Sequence, residues 1–199
     1  MSITERQKII LNLVNEYKYI SVQKLAALVY TSPSSIRRDL TTLENMFYLK
    51  RTDSSSTAGY LLPHISKHKN ITLFTNNMIT AMNAVNYGIP TYCSGGFAHK
   101  NSPVLASEDT YKALSGIHPD ILFFSSFCID SGGNITDPTA AETYAREIML
   151  KNSAEKIFLC DSEKFNRRST YTLTSADDID ACVFDAEYSA LKCKCRIIV

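Results

Sequence analysis

Residues 20–52, ISVQKLAALVYTSPSSIRRDLTTLENMFYLKRT, constrain this chain more than any other stretch, because two apolar stripes of helical period are broken there by a two-residue turn and a proline. Val22, Leu25, Ala26, Leu28 and Val29 recur at helical spacing and predict a helix over residues 22–29 with one face on a core. Tyr30 and Thr31 then turn the chain. Ser32 stands as N-cap with Pro33 at the first helical position, where a missing N–H costs nothing. Along the second helix Ile36, Leu40 and Leu43 share the inward face, while Ser34, Ser35, Arg37 and Arg38 point elsewhere. Serine hydroxyls near a helix N-terminus suit phosphate oxygens, and arginine can make bidentate contacts to guanine or phosphate. Two adjacent arginines would alone mark only a solvated face, so the surroundings must decide.

Upstream, residues 3–17 predict a third helix with Ile9, Ile10, Leu13 and Val14 inward. Downstream, residues 48–51 and 60–62 flank the polar turn DSSSTAG and are expected to form a two-stranded wing, with Lys50 and Arg51 neutralising phosphates. Over residues 1–53 eight Lys or Arg stand against five acids, a formal +3, which leaves −2 for the rest of a chain of net charge +1. A basic head on a mildly acidic body is the asymmetry of a protein that meets nucleic acid with one part only. The first domain is therefore expected at residues 1–62, a winged helix-turn-helix for double-stranded DNA. Residues 63–70 would be a linker and 71–199 a second domain.

In that second part strand-like apolar runs at residues 71–74, 89–93, 121–127, 157–160, 181–184 and 196–199 alternate with helical segments, one with Ile79, Met82 and Val85 inward and one over residues 139–151. Alternation of this kind predicts an α/β fold around a mainly parallel sheet, whose ligands bind at the carboxyl ends of the strands. Thr75 and Asn76 follow one run, Ser94, Gly95 and Gly96 the next, and Asp161, Ser162 and Lys164 a third. Hydroxyls, an amide, flexible backbone N–H groups, a carboxylate and a lysine suit a polyol carrying phosphate. Taken singly, the same residues also serve to turn a chain.

No window approaches the roughly 18 apolar residues of a membrane span, and the polar start is unlike a signal peptide, so a cytoplasmic protein is expected. The six cysteines read as reduced thiols, four of them in or beside apolar runs. Cys193 and Cys195 place two thiols on one face of a terminal strand, but no second Cys or His pair completes a tetrahedral metal site. His64, His68, His99 and His118 are scattered, and no cofactor motif is present.

TSPSSIRRDLTTLE resembles the recognition helix of the DeoR family of bacterial transcription regulators, whose pattern is a Ser-rich start, Ile-Arg-Arg-Asp-Leu and a later Leu. The resemblance resumes over residues 70–199: ITLFTNN is similar to a Leu-Thr-Val-Val-Thr-Asn segment, SGG to a Gly-Gly turn, GGNITDPTAAETYAREIM to a Gly-Leu-Thr-Asp stretch with its Glu-bearing helix, and LCDSEKFNRRS to Leu-Ala-Asp-Ser-Ser-Lys-Phe-Gly. It implies a winged helix-turn-helix on operator DNA followed by a sugar-phosphate sensor related in fold to ribose-5-phosphate isomerase. Thr75, Asn76, Gly95, Gly96, Glu142, Asp161 and Lys164 would then lie at or near the effector. The family usually inserts about 45 residues between wing and sensor sheet, well beyond a usual loop, including a helix, the first strand and an Asp-Ser-Gly-Thr-Thr loop that cradles phosphate. With only residues 63–70 in that place, the sensor is expected to lack its first βα unit, to bind sugar phosphates weakly, and to hide the exposed sheet edge in a homo-oligomer. The expected function is regulation of transcription, as a repressor of sugar metabolism genes and without enzymatic chemistry. The alternatives are an effector-blind DNA-binding protein with a degenerate sensor, and a sugar-phosphate isomerase or deaminase with Glu142 or Asp161 as base.

Overall fold

A computed structural model describes residues 3–17, 20, 22–46, 57–99 and 102–199 of the chain. They fall into two compact units, Met1–Asp53 and Ser54–Val199.

The first unit holds α1 (Glu5–Tyr17), α2 (Val22–Leu28) and α3 (Pro33–Asn45). Ile10, Leu25, Ile36 and Leu43 are its fully buried centre, with Leu40 and Ala26 beside them. The inward stripe of α3 is thus the one its spacing predicted. On α1 the expectation holds for Ile10 but not for Ile9, which is half exposed. Gln7 takes an inward place instead, because its amide donates to Asp39 (3.2 Å) on α3, and Arg6 reaches the same buried carboxylate at 2.6 Å. That ion pair fixes α1 on α3. The α2–α3 turn closes by Tyr30 N–H to Ala27 C=O and Thr31 N–H to Ala26 C=O, with Tyr30 at φ 52°. This is a Schellman ending with a tyrosine where glycine is usual. The expected wing strand at residues 48–51, with Lys50 and Arg51, lies outside the described residues.

Residues 60–62 do not form the second wing strand. Thr57–Leu61 is a 3-10 turn and Leu62–Ile65 a short helix, α4, and both belong to the second unit. The reasons are local. Leu61, Leu62 and Ile65 are spaced for a helical face, and Pro63 sits in the first turn of α4, where it is tolerated, whereas it would break a strand ladder. Leu62 is 2% exposed and packs with Ala84 and Ile89. The linker expected at residues 63–70 therefore begins inside α4.

Among the described residues, three sheets follow. β1 (Leu73–Thr75) pairs in parallel with β2 (Thr91–Cys93). β3 (Ile121–Phe124), β6 (Glu155–Cys160), β8 (Ala181–Phe184) and β9 (Arg196–Ile198) form a parallel sheet in that order. The third sheet, which the apolar runs do not foretell, is antiparallel: β4 (Cys128–Ile129), β5 (Asn134–Asp137) and β7 (Tyr171–Ser175). Helices α5 (Met78–Asn86), α6 (Glu108–Ser115) and α7 (Ala140–Asn152) complete the unit. Its core gathers Phe124, Ile129, Ile135, Phe158, Cys182 and Phe184. On α5 the expected inward face holds only in part: Ile79 is half-buried, but Met82 and Val85 are exposed and Thr80 and Ala84 are buried in their place. The Asn77 side chain, accepting from the Ile79 and Thr80 N–H groups at 3.0 Å each, sets the start of α5.

Candidate functional site

Two regions carry chemistry, one in each unit. In the first, Ser32 caps α3: its hydroxyl accepts from the Ser35 N–H (3.2 Å) and lies 2.9 Å from both the Ser34 and the Ser35 hydroxyls. Ser32, Ser34, Arg37 and Arg38 are exposed and Ser35 partly so. Thr41 and Thr42 turn their hydroxyls back onto the Arg37 and Arg38 carbonyls, so the outward face stays short and polar apart from the two guanidinium stems. The start of α3 therefore offers hydroxyls and two cations.

The second region is a cavity of about 190 Å3 that meets consecutive residues 72–77, which span β1, and 121–125, which span β3. A strand shows alternate residues to each face, so a cavity lined by consecutive ones meets its edge. Hydrogen bonding agrees. The Leu73 N–H donates to Pro90 and the Ser94 N–H to Thr75, which turns the Phe74 groups away from β2. The Glu155 N–H donates to Asp120, which turns Ile121 and Phe123 away from β6. Leu61, Leu62 and Ile65 line the same cavity, and its polar end holds Asn76, Ser125, Glu142 and Arg146.

That end is held by a buried charge network. Asp137, 1% exposed, accepts from the Ser126 hydroxyl (2.7 Å), the Phe127 N–H (3.0 Å) and the Arg146 guanidinium. Arg146 also donates to Glu142 (3.3 Å), which accepts from the Ser102 hydroxyl (3.3 Å). Beside it the Lys164 ammonium lies 3.1 Å from Asp161, 3.2 Å from the Ser125 hydroxyl and 3.4 Å from the Thr57 hydroxyl. The Asp185 carboxylate accepts from the Ser162 N–H (2.7 Å) and fixes the 3-10 turn Ser162–Lys164 that presents the lysine.

Of the residues chosen from sequence, Thr75, Asn76 and Glu142 line the cavity. Lys164 adjoins it through Ser125, and Asp161 adjoins Lys164. The Asn76 amide donates to the Leu105 carbonyl (3.1 Å) and so also has a structural role. Gly95 and Gly96 do not line the cavity. They lie against the start of α6, where the Thr110 hydroxyl donates to the Gly95 carbonyl (2.8 Å) and a Cβ on Gly96 would fall 2.0 Å from that hydroxyl oxygen. Sequence reasoning missed Thr57, Ser125, Asp137 and Arg146. The rule that picked Asn76 and Asp161, residues just past a strand, also picks Ser125; Arg146 lies one helical turn beyond Glu142; Thr57 was assigned to the wing.

Comparison with known proteins bears on both regions. A family model described as the DeoR-like helix-turn-helix domain matches residues 6–54, and one described as the DeoR C terminal sensor domain matches residues 51–186. The HTH-type transcriptional regulator GolR of Listeria innocua is 24% identical over 230 aligned positions, covering 91% of this chain and 90% of that protein. The L-fucose operon activator of Escherichia coli is 29% identical over 137 positions, covering 67% of this chain and 55% of the activator. Among solved structures, a D-ribose-5-phosphate isomerase in complex with phospho-erythronic acid aligns at 14% identity and a TM-score of 0.40 over 56% of this chain and 43% of that one, too slight a likeness to argue from. Among the described residues no helix is long and apolar enough to cross a membrane. With both family models matching in the order of the two units, the chain belongs to the DeoR family of DNA-binding transcriptional regulators.

Proposed function

We propose that the chain is a cytoplasmic repressor of sugar metabolism genes, holding double-stranded operator DNA through Ser32, Ser34, Ser35, Arg37 and Arg38 and answering to a phosphorylated sugar in the second unit. The observation that carries this reading is the outward face of α3, polar and doubly cationic, above a buried stripe of Ile36, Leu40 and Leu43. Repression asks only that operator occupancy exclude the polymerase, with no further contact surface. Replacing Arg37 and Arg38 by Ala should cost about 1–3 kcal/mol of binding for each arginine that reaches a base edge, without unfolding the unit. Mobility-shift titration at fixed salt tests it, and unchanged affinity would sink the assignment. If Lys50 and Arg51 neutralise phosphates, affinity also falls steeply with salt.

For the effector, the polar end of the cavity supplies the parts: the Lys164 ammonium with the Ser125 and Thr57 hydroxyls for a phosphate, and Glu142 with Asn76 for sugar hydroxyls. We also place the shortening of this chain ahead of the phosphate loop and not, as first expected, through it. Residues 53–57 read Asp-Ser-Ser-Ser-Thr, which shares its first two and last positions with the family's Asp-Ser-Gly-Thr-Thr, and the sensor match starts at residue 51. The GolR alignment runs over 230 positions, while 91% of 199 residues is about 181, so about 49 positions face gaps in this chain. We assign that shortening to the wing and linker. On this reading phosphosugars bind more tightly than a missing loop would allow. Calorimetry with common phosphosugars on the wild type, Thr57→Ala and Lys164→Ala tests it: both variants should lose affinity, and equal binding by all three would place the effector elsewhere. A thermal-shift panel with no response would favour an effector-blind regulator. The assembly is taken to be a homo-oligomer, because Met78, Met82 and Val85 leave an apolar stripe exposed on α5, a helix without a charged residue. A clean monomer by light scattering at micromolar concentration would refute that.

A further inference from the structure

The return from β8 to β9 brings Cys193 and Cys195 to Cys182. The Cys195 sulfur lies 3.4 Å from the Cys182 sulfur and 3.2 Å from the Cys193 sulfur. All three are free thiols; Cys182 is buried in the core of the second unit, and the other two are partly exposed at its margin. The sequence showed only the Cys-Lys-Cys pair; the third thiol comes from a strand more than ten residues earlier, brought alongside by the parallel pairing of Ala181 with Arg196 and Cys182 with Ile197. We propose that Cys182, Cys193 and Cys195 form a thiol oxidation site, at which a peroxide converts a pair that includes Cys195 into a disulfide.

Three observations carry it. The sulfurs are already in contact, so a bond of about 2.05 Å needs a closure of little more than 1 Å. Cys195 touches both others and is the shared partner of either bond. The partly exposed pair can meet a small oxidant, and the buried member is placed to resolve what forms there.

The chemistry balances as follows. The thiolate of a partly exposed cysteine attacks one peroxide oxygen; the S–O bond forms, the O–O bond breaks, and the hydroxide released takes up a proton to leave as water. The neighbouring thiol sulfur then attacks the sulfenic sulfur; the S–S bond forms, the S–O bond breaks, and its oxygen leaves with the thiol proton as a second water. Two thiols lose two electrons and two hydrogens, and hydrogen peroxide is reduced to two waters. Burial first, and then the adjacent thiols, push the Cys193 thiol up to about 11 and raise Cys182 as well. Little Cys193 thiolate is present at neutral pH, so attack from that sulfur is slow and quickens by about tenfold per pH unit below its thiol range.

The test uses the full, reduced chain treated with hydrogen peroxide, quenched, alkylated in denaturant and digested for mass spectrometry. The expected result is the loss of two alkylation sites and two hydrogens, a cross-linked peptide that contains Cys195, and reversal by dithiothreitol. Cys195→Ser should keep its five remaining thiols open to alkylation, while Cys193→Ser should still cross-link Cys182 to Cys195. Six alkylatable thiols in the treated wild type would overturn the proposal. So would a bond to Cys93, Cys128 or Cys160, or a Cys182–Cys193 bond formed in Cys195→Ser as fast as in the wild type.

Discussion

Truncating Leu62 to Ala distinguishes a helix of the second unit from a strand of a wing. Leu62 is 2% exposed, packed with Ala84 and Ile89 and flanked by Ile65, Ile71 and Leu73. The change removes about three methylene equivalents, worth about 2.4 kcal/mol by transfer at ~0.8 kcal/mol each. A cavity term of about 24 cal/mol per Å3 would be added in full in a closed core. Leu62 already borders the 190 Å3 cavity, so part of that term is present before the mutation. The expected loss is about 3 kcal/mol. For a unit running from Ser54 to Val199 this corresponds to a fall of about 6–12 °C in its transition, at roughly 2–4 °C per kcal/mol. The chain has no tryptophan, so scanning calorimetry suits it better than fluorescence. Exposed His64, two residues on, should tolerate Ala within about 0.5 kcal/mol. A loss below about 1 kcal/mol for Leu62→Ala, or a shift confined to the transition of the first unit, would refute the placement.

Gly96→Ala should cost about 2 kcal/mol or more, because φ is +116° and the new Cβ would collide with the Thr110 hydroxyl; Gly95→Ala, at φ +69° with nothing within 4 Å, should cost about 1 kcal/mol. Urea unfolding reads both, and equal costs would show that the Gly96 approach is not tight. Burial alone would raise the Asp130 carboxyl, but hydrogen bonds from the Asn134 side chain, the Asn134 N–H and the Gly132 N–H outweigh it and hold the group below its usual range. Its contribution is therefore present above pH 4 and lost as pH falls below the ordinary carboxylate range. Asp130→Asn should flatten that part of the acid stability profile, and an unchanged slope would count against the role.

The sequence was legible where local rules agree with tertiary contacts. Serine cap, Pro33 and the Ile36, Leu40, Leu43 spacing all point to the same helix, and the helix is there. Strands β6, β8 and β9 are short apolar runs with clear punctuation, and Asp161 and Lys164 follow the carboxyl end of β6 as the sequence placed them. Legibility failed where one apolar pattern fits two environments. The run from Thr57 to Ile65 resembles a wing because DSSSTAG looks like a hairpin turn, yet its leucines pack on another part of the chain, which spacing alone does not reveal. Met82 and Val85 are at core spacing on α5, but smaller Thr80 and Ala84 pack inward, Ala84 against Leu62 and Ile89. Short β4 and β5, buried through Ile129, Ile135 and Thr136, carry no run long enough to read.

The charges at the polar end of the cavity decide where an anion can go. Arg146 is committed to two carboxylates, Asp137 and Glu142, so that group of three carries a formal −1 and leaves no spare cation. Lys164 faces one carboxylate, Asp161, whose side chain is 35% exposed, and two hydroxyls. A phosphate entering here therefore competes with Asp161 for the lysine and not with the buried pair around Arg146. An ion pair as open as this is worth about 0.2–1 kcal/mol after solvent screening. Asp161→Asn removes that competition while keeping a side chain of the same shape, so phosphosugar affinity should rise by about 1.5- to 5-fold, the same energy read as a ratio. Calorimetry on Asp161→Asn beside Lys164→Ala measures it. Weaker binding by the asparagine variant would mean that Asp161 holds a sugar hydroxyl rather than competing for the cation. Unchanged binding by both variants would remove the Lys164–Asp161 pair from the effector site.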